Sequence, residues 1–217
     1  MHITMKANKE LVFFVSHLDD FEFSCLGFLF KKHQNYENIK IVTATTLDVK
    51  QSIWEKNLQS IREFLGVKIE DYNLGFKQRT LNENYDKLKD CFYKIINFDK
   101  QFDIVTHDHT DLHSDHQSVN KAARGLLKYV DGLVAIYSPS SFEFNPNYYI
   151  EISEEEYELK RKLLQEYDFS KEQSYSKKGT YFRREYTNIT SIYGLENFIN
   201  REIGYCEIYK IYKWLEK

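Results

Sequence analysis

Short, continuously apolar runs alternating with helical stripes constrain this chain more than any other feature. Leu11–Val15, Ile39–Thr46, Phe102–Thr106 and Leu133–Tyr137 are each brief and mostly apolar, with Lys40 and Asp103 as the charged exceptions. A strand of that kind needs cover above and below, the pattern of a parallel sheet inside helices. Between the runs the period changes. Phe21–Lys32 is a mostly apolar helix candidate, and Ile53, Trp54, Leu58, Ile61 and Leu65 make a 3.6-period stripe that stops at Gly66. A short strand over Ile69–Leu74 follows, then an amphipathic face of Leu81, Tyr85, Leu88, Phe92 and Ile95, and after the next strand a helix carrying Val119, Ala122, Ala123, Leu126 and Leu127. The series is βαβαβ with right-handed crossovers. It predicts an α/β fold, a Rossmann-like three-layer sandwich with a mostly parallel sheet, strand order near 3-2-1-4-5, and further strands at the C-terminal end.

Those further strands are expected at Tyr148–Ile152 and Tyr205–Trp214, with a helix between them opened by a Ser153/Glu156 capping box and reaching about Tyr167. A last helix is expected near Leu195–Arg201. Both prolines, Pro139 and Pro146, fall in one loop, and neither a linker nor a repeat interrupts the pattern, so residues 1–217 read as a single domain.

Composition narrows the function. A net charge of −3 and a pI near 6.2 give a nucleic-acid partner no bulk electrostatic support. The basic, Tyr-rich stretch at 168–189, with Lys171, Lys177, Lys178, Arg183 and Arg184, reads as a solvated loop or ligand lid. No apolar run approaches the roughly 18 residues of a membrane span, and Met1–Glu10 carries charges where a signal peptide would be apolar. A cytoplasmic protein is the expectation. Cys25, Cys91 and Cys206 are widely spaced and read as reduced thiols.

Two polar clusters stand out against this background. His17-Leu18-Asp19-Asp20 follows the first strand, and Asp111-Leu112-His113-Ser114-Asp115-His116 follows the fourth. In an open sheet of order 3-2-1-4-5 those strands are neighbours, and ligands bind in the crevice at their carboxyl ends. His17 and Asp20 together with one ligand from the second cluster would make a two-His, one-carboxylate set, which leaves a position free for water as catalytic zinc sites do. Either cluster alone has a plainer reading. Asp20 can cap a helix while His17 sits hydrogen-bonded in the core. His107 and His109 read as structural or exposed, with His109 in reserve as a ligand, and His2 and His33 have no partner pattern.

The segment Val15-Ser16-His17-Leu18-Asp19-Asp20, continuing through Ser24-Cys25-Leu26-Gly27, resembles the signature of the PIG-L/LmbE-like N-acetylglucosaminyl deacetylases. Thr106-His107 leading to Asp111-x-His113-x-Asp115-His116 resembles their second motif, and Leu65-Gly66-Val67, Leu74-Gly75-Phe76 and Asn145 through Ile152 match further landmarks in order. The resemblance implies that His17, Asp20 and His116 bind zinc, a donor set that also suits iron(II) or cobalt(II). It implies Asp19 as general base toward water, and His113 as the group that polarises the amide carbonyl or stabilises the oxyanion as a cation. Asp115 is then expected to orient His113 and favour its charge.

Departures from the family pattern bear on substrate. Phe21 stands where many members carry Glu, Leu26-Gly27 replaces a Gly pair, and Asn57 replaces a Glu on the helix before Leu65-Gly66. Lys77-Gln78-Arg79 follows Phe76 where many members place Asp, and Arg79 at the rim would suit a phosphate or carboxylate on the substrate. The resulting expectation is a zinc-dependent deacetylase acting on a small N-acetylated sugar, free or linked to a nucleotide or lipid. The alternatives are a hydrolase of another small amide, such as an antibiotic precursor, thiol conjugate or N-formyl group, and a metal- or carbohydrate-binding module without turnover. An extra carboxylate beside the ligands, Asp19, weighs against the module, since burying it without a task is costly.

Overall fold

A computed structural model of the protein describes residues 9–46, 48–138, 140–167 and 205–214. The chain runs β1 (Lys9–Val15), α1 (Leu18–Ser24), α2 (Leu26–Lys32), β2 (Asn38–Thr45), α3 (Asp48–Leu65), β3 (Glu70–Phe76), α4 (Tyr85–Ile95), β4 (Gln101–His107), α5 (Ser114–Arg124), β5 (Gly132–Ile136), β6 (Tyr148–Ile152), α6 (Glu154–Glu166) and β7 (Tyr205–Trp214). The seven strands form one sheet of order β3-β2-β1-β4-β5-β7-β6. β1 to β5 are parallel, whereas β7 pairs antiparallel with both β5 and β6. The expected 3-2-1-4-5 core is present, and β7 adds directly to β5 so that β6 becomes the edge.

Period-2 alternation splits β1 between two cores. Leu11, Phe13 and Val15 face α1, α2, α3 and α6, packing with Phe21, Phe28, Trp54, Leu58 and Leu163. Val12 and Phe14 face α4 and α5, packing with Leu88, Phe92, Val119 and Ala123. Both faces of the central strands are therefore dry, which is why their sequences are continuously apolar. Ser153 and Glu156 make the expected capping box at the start of α6.

The single helix expected over Phe21–Lys32 is broken at Cys25 into α1 and α2. The Phe23 carbonyl accepts a 2.6 Å hydrogen bond from the Lys160 ammonium of α6, and Lys160 is itself ion-paired with Glu207 of β7. A side chain inserted into the ladder is an ordinary cause of a helix break. Gly27, on the next turn, faces the same glutamate, and a β-carbon there would stand 2.9 Å from the Glu207 carboxyl carbon. The helix expected near Leu195–Arg201 and the basic segment at 168–189 lie outside the described residues. Among the described residues no helix is long and apolar enough to cross a membrane.

Candidate metal centre

β1 and β4 pair directly, with Phe14 opposite Thr106, so the loops that leave their carboxyl ends emerge side by side. The first loop is only Ser16 and His17 before α1 begins. Its backbone is pinned: the Ser16 carbonyl accepts from the Thr45 amide and hydroxyl, each at 2.9 Å, and the Ser16 amide donates to His107 Nε2 at 3.0 Å. Asp20, in the first turn of α1, reaches back so that Oδ2 accepts from the His17 amide at 2.8 Å and lies 3.0 Å from His17 Nδ1.

α5 begins immediately after His113 and carries His116 into the same space. His116 Nε2 is 3.3 Å from His17 Nδ1 and 3.3 Å from Asp20 Oδ2. The three expected ligand atoms thus form a triangle with edges of 3.0, 3.3 and 3.3 Å. Ligands placed tetrahedrally at 2.0–2.1 Å from zinc are spaced by about 3.3 Å, so this donor set fits a single ion. Two overlapping groups of ligand-type atoms occur here, His17/His113/His116 and Asp20/His107/His116. His107 approaches Asp20 Oδ2 to 3.4 Å, but its Nε2 lone pair is committed to the Ser16 amide. It holds the two strand ends together. His109, the expected reserve ligand, belongs to neither group, and its Nδ1 meets Asp108 and the Tyr212 hydroxyl.

Electrostatics follow from burying four histidines around few carboxylates. Burial works against the charged form of Asp20, but the cations of His116 and His17 and the nearby His107 hold its pKa well below the usual range. Burial likewise disfavours the cation of His17, and the Asp20 charge with hydrogen bonds to Asp115 and Asp20 overcomes it, raising the pKa to about 10. His116 is raised to about 9 by Asp20 and Asp111 against the same burial penalty. Burial and the neighbouring His116 push His107 down to about 4.

The remaining expected residues are distributed unevenly. Asp19, in the first turn of α1, is half-buried, and its carboxylate meets Lys50 Nζ of α3 at 2.7 Å. His113 stands beside the triangle, its ring 4.9 Å from that of His17 and 4.6 Å from that of His116. The expected orientation of His113 by the Asp115 carboxylate is not what the fold builds. Asp115 donates its backbone amide to His113 Nδ1 at 3.2 Å, while its carboxylate turns to the Arg79 amide at 2.6 Å, the Leu81 amide at 3.3 Å and His17 Nε2 at 3.4 Å. The reason is helix geometry. Asp115 lies in the first turn of α5, where its amide is free to be capped by His113 and its side chain projects across to the loop after β3. An Nδ1 that accepts a hydrogen bond belongs to a neutral ring with its proton on Nε2. Burial and the charges of His116 and His17 lower the His113 pKa as well, a direction that favours the neutral ring over the expected cation.

Arg79 adopts the left-handed region, with φ of 63°. Its amide serves Asp115 and its side chain is exposed, without an ion-pair partner among the described residues. Asn57 does not face the crevice. It donates to the buried Glu22 carboxyl at 3.1 Å and to the Leu163 carbonyl at 3.2 Å, joining α1 to α6. Asp111 had no assigned task in the sequence, yet it is fully buried and meets His116 Nδ1 at 2.8 Å. Its place at the head of the Asp111-x-His113-x-Asp115-His116 motif, five residues before His116, is the signal the sequence offers.

The sequence matches the family model for GlcNAc-PI de-N-acetylase, PIG-L, over residues 12–127, more than half of the chain. The protein belongs to the PIG-L family. The matched stretch carries both clusters of the centre. No curated protein matches the sequence. Among solved structures, N,N'-diacetylchitobiose deacetylase from Pyrococcus horikoshii is similar at 19% identity and a TM-score of 0.61, over 94% of this chain and 84% of that one. The zinc-inhibited form of teicoplanin deacetylase Orf2 is similar at 14% identity and 0.59, over 94% and 97%. GalB, the 4-carboxy-2-hydroxymuconate hydratase from Pseudomonas putida KT2440, is similar at 16% identity and 0.65, over 97% and 98%. These likenesses establish the fold this PIG-L member shares. A hydratase among them means that the reaction has to be argued from the site.

Proposed function

We propose that this PIG-L protein is a metal-dependent deacetylase that hydrolyses the amide of a small N-acetylated sugar or sugar conjugate, with zinc held by His17, Asp20 and His116. The observation that carries the reading is the ligand triangle, three facing donor atoms 3.0–3.3 Å apart drawn from two loops that the β1–β4 pairing brings together. A zinc ion held there would lower the pKa of a water to about 7 and polarise a carbonyl oxygen.

Asp19 receives the proton as water adds to the carbonyl carbon, and returns it to the nitrogen as the C–N bond breaks. Lys50 Nζ, 2.7 Å from its carboxylate, sets the direction in which that side chain lies. His113, neutral with its proton on Nε2, donates to the oxygen on which charge develops. Asp115 holds His17 and the loop after β3, so it acts on the centre through His17. Arg79, in that loop, offers an exposed guanidinium to an anionic group on the substrate, such as a nucleotide phosphate. The test is metal analysis of the purified protein together with acetate release from free, nucleotide-linked and lipid-linked N-acetyl sugars. A protein that retains stoichiometric zinc but releases acetate from none of them would overturn the deacetylase reading.

A further inference from the structure

Asp111 is a fully buried carboxylate beside the centre with both of its oxygens engaged. Oδ1 accepts from the His113 amide at 2.8 Å and from Ser140 Oγ at 2.6 Å, and Oδ2 meets His116 Nδ1 at 2.8 Å and accepts from Ser138 Oγ. Both oxygens of Asp111 already accept from the His113 amide and the serine hydroxyls, so the contact with His116 is made by a donating Nδ1–H, and Nε2, facing Asp20 and His17, is the nitrogen left to bind a metal once its own proton is lost.

The serines come from a different strand. Ser138 and Ser140 follow β5, whereas Asp111 follows β4, and the two stretches are clipped together by a Leu112 amide to Ser140 carbonyl bond of 2.9 Å and a Phe142 amide to Thr110 carbonyl bond of 3.1 Å. An antiparallel bridge joins Asp111 to Ser141. The carboxylate is thus gripped from two sides before it touches a histidine, and the same group sets both His116 and the start of the His113 turn.

We propose that Asp111, seated by Ser138 and Ser140, is the positioning unit of His116, fixing its tautomer and direction so that the stretch after β5 determines how tightly the centre holds its metal. The inference rests on the metal-site reading above. It assigns a task to residues that touch neither substrate nor ion.

The experiment measures zinc affinity by competition with a chromogenic chelator for the wild type, Asp111→Asn, Ser138→Ala, Ser140→Ala and Ser141→Ala. Ser141 is the comparison one step removed, because its hydroxyl accepts from the Ser138 amide at 3.0 Å and lies 3.4 Å from the Ser138 hydroxyl without a hydrogen bond of its own to Asp111 or His116 among the described residues. Loss of a residue that orients a ligand weakens metal binding by about 10- to 100-fold. That range is expected for Asp111→Asn and its lower end for Ser138→Ala, with Ser141→Ala unchanged. The visible spectrum of the cobalt(II)-loaded protein should shift in Asp111→Asn, because a loosened imidazole changes the ligand field, and a purely structural role for Asp111 would leave it as in the wild type. If Asp111→Asn fails to fold, Ser138→Ala carries the test. Zinc affinity within about twofold of wild type in both would overturn the positioning role and leave the metal centre standing. A wild type that binds no zinc would overturn both.

Discussion

Metal binding by the ligand triangle should expel protons well above the pH at which ordinary histidines have already lost theirs. In the metal-free protein His17 titrates at about 10 and His116 at about 9, because burial, which opposes both cations, is outweighed by Asp20 and, for His116, by Asp111. A metal needs both rings neutral at the ligating nitrogen. Protons therefore compete with zinc, and acid weakens binding while base strengthens it, by about tenfold per pH unit for each proton displaced. The two rings share one acceptor, Asp20 Oδ2, and their facing nitrogens are 3.3 Å apart, so one full proton and part of a second are expected to leave at neutral pH. From pH 7 to 9 this amounts to a gain in affinity between about 100-fold and 10,000-fold. Histidines with the ordinary pKa of about 6.5 would flatten above pH 7. Calorimetric titration of zinc into the metal-free protein, in buffers of different ionisation enthalpy at pH 7.5, counts the protons directly. A count near zero, with affinity constant from pH 7 to 9, would refute the electrostatic account of the triangle.

Asp19→Asn removes the proton acceptor but no ligand, so zinc content should match the wild type while acetate release slows by on the order of a hundredfold or more; single-turnover assays on metal-quantified protein would reveal a retained rate and reject Asp19 as base. His113→Ala should slow the reaction by about a hundredfold or more with zinc intact, and a kcat within a few-fold of wild type would place the oxyanion donor elsewhere. For Asp115→Asn the structure predicts weaker zinc binding, by about tenfold, because its carboxylate holds His17; chelator competition measures this, and unchanged affinity would return Asp115 to a role at His113. Lys160→Met leaves the Glu207 carboxylate buried and strips the Phe23 carbonyl of its donor, for an expected loss of about 3–5 kcal/mol in urea unfolding. A loss below about 1 kcal/mol would show that the pair does not hold the α1–α2 break.

How far the sequence reaches can be judged element by element. Leu11–Val15 and Phe102–Thr106 could be read as buried parallel strands because an apolar run without alternation needs cover on both faces, and the doubly wound connection then brings the two strands, and both histidine clusters, to one crevice. The capping box at Ser153 was equally legible, since its two hydrogen bonds are local. What periodicity reports is whether a residue is buried; it carries no information on which distant group a polar atom will face. The break at Cys25 depends on Lys160 arriving from α6, and the seat of Asp111 depends on serines from beyond β5. Asp115 turned to the loop after β3 because of its place in the first turn of α5, and His107 and His109, two residues apart, went to opposite tasks because one ends a strand and the other starts a loop. Sequence alone determined the fold class and the residue types at its crevice. Tertiary structure decided which nitrogen and which oxygen face one another across the crevice, because side-chain direction is set only once strand register and helix docking are complete.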